Sequence, residues 1–320
     1  MEPFSTVSTK YIISEVGSRI ENRLLTRAAR LALAVIVAVF TGEAWLAAVR
    51  PVTPAEALAY DRFVRPPMSE TLHQPSRNPD VLYTLLEKRS VGLFRVSEFS
   101  IRLPALLAGG WYLWAIWRLC RRSVLVVALA VAPLAWQCFS TANGLGLALA
   151  LAAWALESAP KKLNWAGVCL GLAVAAHLAF AIPAAMLAAI VVWRNFRWHL
   201  AVEGFLIPAL VTSFILLVLP LSLAPDTPSA PPELTSAEVN GVRAAVEVLR
   251  RECGTKPIRV GASAAVAPVL SFYRSRFRLA SWQFSDAAAD YYVLPESGAG
   301  LADHGQLTVL HRDGGVVLAR

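Results

Sequence analysis

Residues 103–139 read LPALLAGGWYLWAIWRLCRRSVLVVALAVAPLAWQCF, two apolar runs divided by Arg118, Arg121 and Arg122. Each run approaches the roughly 20 apolar residues with which a helix crosses a bilayer core of about 30 Å. The pattern continues on both sides. Leu31–Val49, Leu103–Leu119, Ser123–Phe139, Thr141–Leu156, Leu163–Ala181, Ile182–Trp193 and Leu200–Leu221 make about seven candidate spans. The fourth and sixth are short enough to be buried in a bundle or re-entrant. With 56% hydrophobic and 16% charged residues, the 320-residue chain departs from soluble composition in the same direction. The expected fold is mostly α: a polytopic membrane helix bundle with a small C-terminal α/β extracytoplasmic domain.

Charge placement orients the spans. Lys10, Arg19, Arg23, Arg27 and Arg30 precede the first; Lys161 and Lys162 lie between the fourth and fifth; Arg194 and Arg197 lie between the sixth and seventh. The turns around Ser140–Asn143 and Ala181–Pro183 hold no Lys or Arg. By the positive-inside rule residues 1–30 are a cytoplasmic segment, and the loop 50–102 and the tail lie outside. This predicts a multi-pass protein of a bacterial inner membrane. The net charge of +8 is thereby explained without nucleic acid. The first run follows a long polar segment and reads as a signal anchor, not a cleaved peptide. Cys120, Cys138, Cys169 and Cys253 lack metal-ligand spacing and predict neither a zinc site nor a disulfide framework.

The loop 50–102 has structure of its own. Pro79–Arg89 (PDVLYTLLEKR) sets Leu82, Leu85 and Leu86 on one helical face and Glu87, Lys88 and Arg89 toward the other, as in a helix lying in the interface. Pro54–Val64 (PAEALAYDRFV) is helix-prone, with Glu56 and Asp61 about a turn and a half apart. Pro66 and Pro67 stop it.

Thr53-Pro54-Ala55-Glu56-Ala57 and Leu93-Phe94-Arg95-Val96-Ser97-Glu98-Phe99-Ser100-Ile101-Arg102-Leu103-Pro104 resemble two motifs of GT-C superfamily glycosyltransferases. That superfamily includes protein O-mannosyltransferases, lipid A aminoarabinose transferases and the RgtA/B/C/D-like group. The similarity covers residues 31–223. It implies transfer of a sugar from a polyprenyl-phosphate donor to a glycan, lipid or protein acceptor outside the membrane. That chemistry needs a carboxylate to take the acceptor proton, and a cation or divalent metal to stabilise charge on the departing phosphate. The first acid of the family's pair falls on Ala55, leaving Glu56 and Asp61 as catalytic candidates. Where relatives carry a phosphate-holding arginine between spans three and four, this chain has Asn143, which lacks the charge.

Arg102 and His177 complete the expected donor and phosphate contacts; Glu43, His73 and Asn78 are candidate acceptor or donor contacts. Each has a plainer reading. Glu56 can be a cap, Asp61 a solvated carboxylate, Arg102 a headgroup pin and His177 a packing residue. Trp111, Trp114 and Trp117 can be packing or a wall for a prenyl chain. Loss of two charged positions keeps open a catalytically inactive relative that binds lipid-linked sugar or scaffolds envelope assembly. A transporter is a weaker reading, since no internal repeat is evident.

Residues 224–234 form a Pro-rich linker. Beyond it, 235–320 alternates helix (Thr235–Glu252, Ala264–Arg276) and strand (Ile258–Gly261, Ala289–Leu294). A hairpin of Gln306–Leu310 and Gly315–Leu318 turns at Asp313-Gly314-Gly315. This domain is expected to pack over the loop after span one.

Overall fold

Two capping boxes set the helices that flank the long loop. Thr53 precedes Pro54 at the start of α2 (Pro54–Ala59); its hydroxyl accepts from the Glu56 amide, and the Glu56 carboxylate accepts from the Thr53 amide. Ser97 and Ser100 repeat the exchange at the start of α4 (Glu98–Leu119). Pro104 sits inside α4 and cannot donate to the Ser100 carbonyl four residues back. The Ser90 hydroxyl donates to that carbonyl instead, at 2.6 Å. A proline early in this helix is thus tolerated because a neighbouring helix supplies the missing donor.

The computed structural model describes residues 30–67, 80–120, 124–194, 202–214, 234–285, 289–296 and 308–320. Before α2 runs α1 (Arg30–Val49), and α2 continues as a π turn through Val64. Between them and α4 lies α3 (Val81–Phe94). There follow α5 (Val124–Ala130), α6 (Pro133–Ser140), α7 (Gly144–Ser158), α8 (Leu163–Ala176), α9 (Ala181–Arg194) and, after the π turn Val202–Leu206, α10 (Ile207–Ser213).

The chain is mostly helical with a small C-terminal sheet. Among the described residues, α1 and α4 are long and apolar enough to cross a membrane, and four further apolar helices are shorter. The expected third span is divided where Ala132 turns extended before Pro133. The expected fifth stops at Ala176, because His177 is extended (φ −156°, ψ 116°) ahead of the 3-10 turn Leu178–Phe180. Residues 200–201 and 215–221 of the expected seventh lie outside the described residues.

Small residues let the central helices approach. Ala148, Ala152 and Ala155 of α7 and Ala166, Ala173 and Ala176 of α8 are all buried in one cluster with Phe139 and Tyr112. Large apolar side chains point outward: Trp45 of α1, Trp111 and Trp114 of α4, Trp165 of α8, and Ile182, Met186 and Trp193 of α9 are exposed. Helix α3 is turned likewise. It buries Tyr83, Thr84, Glu87 and Ser90 and exposes Leu86, Leu93 and Phe94. The sequence pattern placed Glu87 on an outward polar face; Glu87 is 3% exposed.

In the tail, α11 (Ser236–Cys253) packs on a five-stranded sheet of order β2-β1-β3-β5-β4, and α12 (Ala267–Arg276) packs against α11 and α2. Its strands are β1 (Arg259–Ala262), β2 (Gln283–Phe284), β3 (Tyr291–Pro295), β4 (Val309–Asp313) and β5 (Val316–Ala319). β1 pairs in parallel with β2 and β3, and the β4–β5 hairpin joins antiparallel through β5 to β3. Gly314 (φ 56°) and Gly315 (φ 77°) form the two-residue turn, whose positive φ values suit the twist of the strands.

The tail packs over the loop after α1. Val52, Ala57, Tyr60 and Val64 of that loop and Ile101 of α4 share one core with Val269, Phe272 and Tyr273 of α12. Tyr60 meets Phe272 edge-on at 5.4 Å. The Ser271 hydroxyl donates to Asp61 at 2.6 Å, and Arg65 donates to both Asp61 and Ser271. Glu98 at the start of α4 pairs with Arg276.

Candidate functional site

The deepest polar constellation links α2 to α4. Arg102 is fully buried, and its five N–H groups are all used. It donates to Glu56 Oε1 at 2.9 Å and Oε2 at 2.6 Å, and to the carbonyls of Ala47 (3.1 Å), Arg50 (2.8 Å) and Pro51 (2.7 Å). Glu56 also accepts from the amides of Ala142 (2.6 Å) and Thr53 (2.7 Å). Burial pushes its carboxyl up, but the Arg102 guanidinium and the two amides outweigh burial and hold it below the usual range.

This arrangement fixes three segments together: the end of α1, the start of α2 and the turn before α7. It leaves no lone pair of Glu56 aimed at an acceptor hydroxyl and no N–H of Arg102 for a phosphate. Glu56, a catalytic candidate by sequence, is here a structural anchor. Arg102, a candidate phosphate contact, is its partner. Asp61 points the other way and joins the loop to the tail.

A second constellation forms where α3, α7 and α8 meet, on the same side of the helices as α2 and the tail. Asp80 precedes α3; its Oδ1 lies 2.5 Å from His177 Nδ1, and its Oδ2 accepts from the Gly144 amide at 3.1 Å. Gly144 touches the carbonyl of Ala176, where a Cβ would sit at 1.8 Å, so only glycine allows this approach. The contact is flanked by Asn143 on one strand of chain and His177 on the other. Asn143 Nδ2 donates to Thr141 Oγ1 at 2.9 Å, and its buried Oδ1 has no partner among the described residues. The side chains of His177 and Asp80 are 24% and 19% exposed.

Asn143 and His177, both donor-contact candidates by sequence, are thus brought to one place, and Asp80 is what joins them. Sequence reasoning missed Asp80. After Pro79 and before an apolar helix it reads as an ordinary cap, and nothing local signals a partner 97 positions away.

Further along the same face of α3, Glu87 is buried with Oε1 unpartnered among the described residues. Burial, reinforced by the charges of Glu56 and Asp80, pushes its carboxyl well above the usual range. Glu43 of α1 is 1% exposed, and neither oxygen has a partner among the described residues. It packs beside Gly109 and Phe139 of the helix core. His73 and Asn78 lie outside the described residues. No group of three or more His, Cys, Asp or Glu suited to a metal ion occurs among the described residues.

Between α1 and α4 an apolar groove of about 520 Å³ is lined by Phe40, Leu113, Trp114 and Trp117, with Arg118 at one end. Arg118 already pairs with Glu157 at 3.0 Å and lies over the Trp154 ring. Comparison with models of protein families, with curated proteins and with solved structures finds no match to this chain.

Proposed function

We propose that this chain is a multi-pass membrane glycosyltransferase of GT-C type, moving a sugar from a polyprenyl-phosphate donor to an extracytoplasmic hydroxyl acceptor. The Asp80–Asn143–His177 cluster is its reaction centre. The membrane part of the reading is supported by the outward-facing apolar side chains, which water would not tolerate over so many adjoining helices. It is supported too by α3, which buries polar groups and exposes leucines. Alternation of Lys and Arg between turns orients the about seven spans, with the cluster and the tail outside.

The observation that carries the chemical part is the Asp80–His177 contact at 2.5 Å, beside Asn143, at the ends of three helices. An ionisable pair there, 24% and 19% exposed, supports a site on the side where a lipid-linked sugar would meet its acceptor. The sequence motifs 53–57 and 93–104 supply the resemblance to GT-C enzymes. Their acid and base, Glu56 and Arg102, hold the loop in place, and Glu56 also holds the Ala142 amide next to Asn143.

That same saturation of Glu56 favours a second reading, in which the chain binds lipid-linked sugar or scaffolds envelope assembly without turnover. Transfer of radiolabel from polyprenyl-phosphate sugars, in membranes containing the folded protein, separates the two. Labelled product supports the transferase. Donor retention without product, across hexosyl and pentosyl donors, supports binding alone.

A further inference from the structure

We infer that His177 is the base that takes the acceptor's proton and that Asp80 is the residue that positions it; this rests on the glycosyl-transfer reading above. The geometry of the ring argues for it. In the neutral imidazole, an Asp80 carboxylate at Nδ1 selects the Nδ1–H tautomer and leaves the Nε2 lone pair as the acceptor. Nε2 has no partner among the described residues, and the side chain is 24% exposed. Asp80 is itself held by the Gly144 amide at 3.1 Å, so the carboxylate that orients the ring is tied to the backbone of α7. A base oriented by a buried-side carboxylate is the arrangement that general base catalysis requires.

The backbone contributes. His177 is extended between α8 and the 3-10 turn that follows, which lifts the imidazole off the helix surface at the end of α8. Among the described residues, the titratable group facing the ring is Asp80, just before α3. From α7 the neighbour is the neutral Asn143, and α9 opens with Ala181-Ile182-Pro183, which carries no charge.

The step balances without another reactant. The acceptor O–H gives its proton to His177 Nε2 while its oxygen forms a bond to the sugar's anomeric carbon. The bond from that carbon to the phosphate oxygen breaks, and the polyprenyl phosphate leaves with the electron pair. Imidazolium, stabilised by Asp80, then passes the proton to water.

The test is turnover of the full-length protein in membranes, with labelled polyprenyl-phosphate sugar as the probe. His177→Gln keeps a polar group beside Asp80 but cannot take a proton. It is expected to lower kcat by about 10²–10⁴-fold with donor KM nearly unchanged. The pH dependence of kcat that belongs to the imidazole is expected to vanish with it. Asp80→Asn is expected to lower kcat as well, and the double variant to be no slower than His177→Gln, because both act in one step.

A folded His177→Gln that keeps more than a tenth of wild-type kcat overturns the inference and leaves the transferase reading standing. If His177→Gln does not fold, His177→Ala with added imidazole decides. Recovery of rate supports the base, and no recovery in folded protein overturns it. Wild-type protein without turnover on any donor sinks both readings together.

Discussion

Replacing Arg102 and Glu56, singly and together, tests whether the buried pair is an anchor or a reserve of chemistry. Arg102→Leu leaves a carboxylate in a site where it is 4% exposed, along with the bare carbonyls of Ala47, Arg50 and Pro51. Loss of one member of a buried pair costs about 3–5 kcal/mol. Glu56→Leu leaves the guanidinium charge buried and strips the Thr53 and Ala142 amides of their acceptor, at a similar cost.

In Glu56→Leu/Arg102→Leu neither charge remains, so the second substitution removes the penalty left by the first. Because the double variant then costs about as much as one single variant, a coupling of about 3–5 kcal/mol is expected, against near-additivity for independent sites. Thermal unfolding in detergent, followed by helical circular dichroism, reads this as a Tm loss of roughly 2–4 °C per kcal/mol. The double variant should lie close to the worse single variant. A double variant whose losses simply add would refute the anchor argument.

The pH dependence has a fixed sign. Glu56 has a lowered folded pKa, so its stabilisation is present above the unfolded value of about 4.3 and is lost as pH falls through the folded value. Acid sensitivity should weaken in Glu56→Leu.

Glu87 gives the opposite sign. Its folded carboxyl is raised by burial, so stability falls as pH climbs from the unfolded value of about 4.3 toward the folded one. Glu87→Gln should stabilise the neutral-pH protein by about 1–3 kcal/mol and flatten that slope, as a Tm series from pH 4 to 8 would show. Gly144→Ala places a Cβ 1.8 Å from the Ala176 carbonyl and 2.9 Å from Asp80 Cγ. It should cost about 1–3 kcal/mol and separate Asp80 from His177, so transfer activity falls more steeply than Tm. Phe272→Ala removes a fully buried ring that meets both Tyr60 and Tyr273. A loss of about 3–5 kcal/mol should release the tail from the loop, read as faster protease cleavage of the tail.

The sequence spoke most clearly where local pattern and fold coincide. Hydropathy picked out α1 and α4 as long apolar helices, and Gly314-Gly315 marked the hairpin, because an apolar run and a primed turn are each set by adjacent residues. Of the breaks within the apolar runs, the one at Ala132 is marked by Pro133, whereas the one at His177 is not legible. Leu163–Ala181 has no proline or charge before Pro183, and the chain opens at His177 where Asp80 engages its ring and Gly144 meets the carbonyl of Ala176. Helix α3 misled for a related reason. An amphipathic pattern does not say which face meets protein, and in α3 the face that carries Glu87 turns inward.

The same contrast separates the two constellations. Glu56 drew notice because it sits in a motif, and a motif is preserved in a sequence equally well by architecture or by chemistry. Its burial, its four donors and its partner Arg102 decide for architecture. Asp80 drew none, since one acid before a helix has a sufficient local explanation as a cap. It does not cap α3, whose first turn takes no bond from its side chain. Its oxygens go instead to α7 and to His177, so the residue spends its charge on ring orientation at a junction that the α3 helix itself does not need. That departure from the local rule is the physical reason to look for chemistry at His177 and not at Glu56.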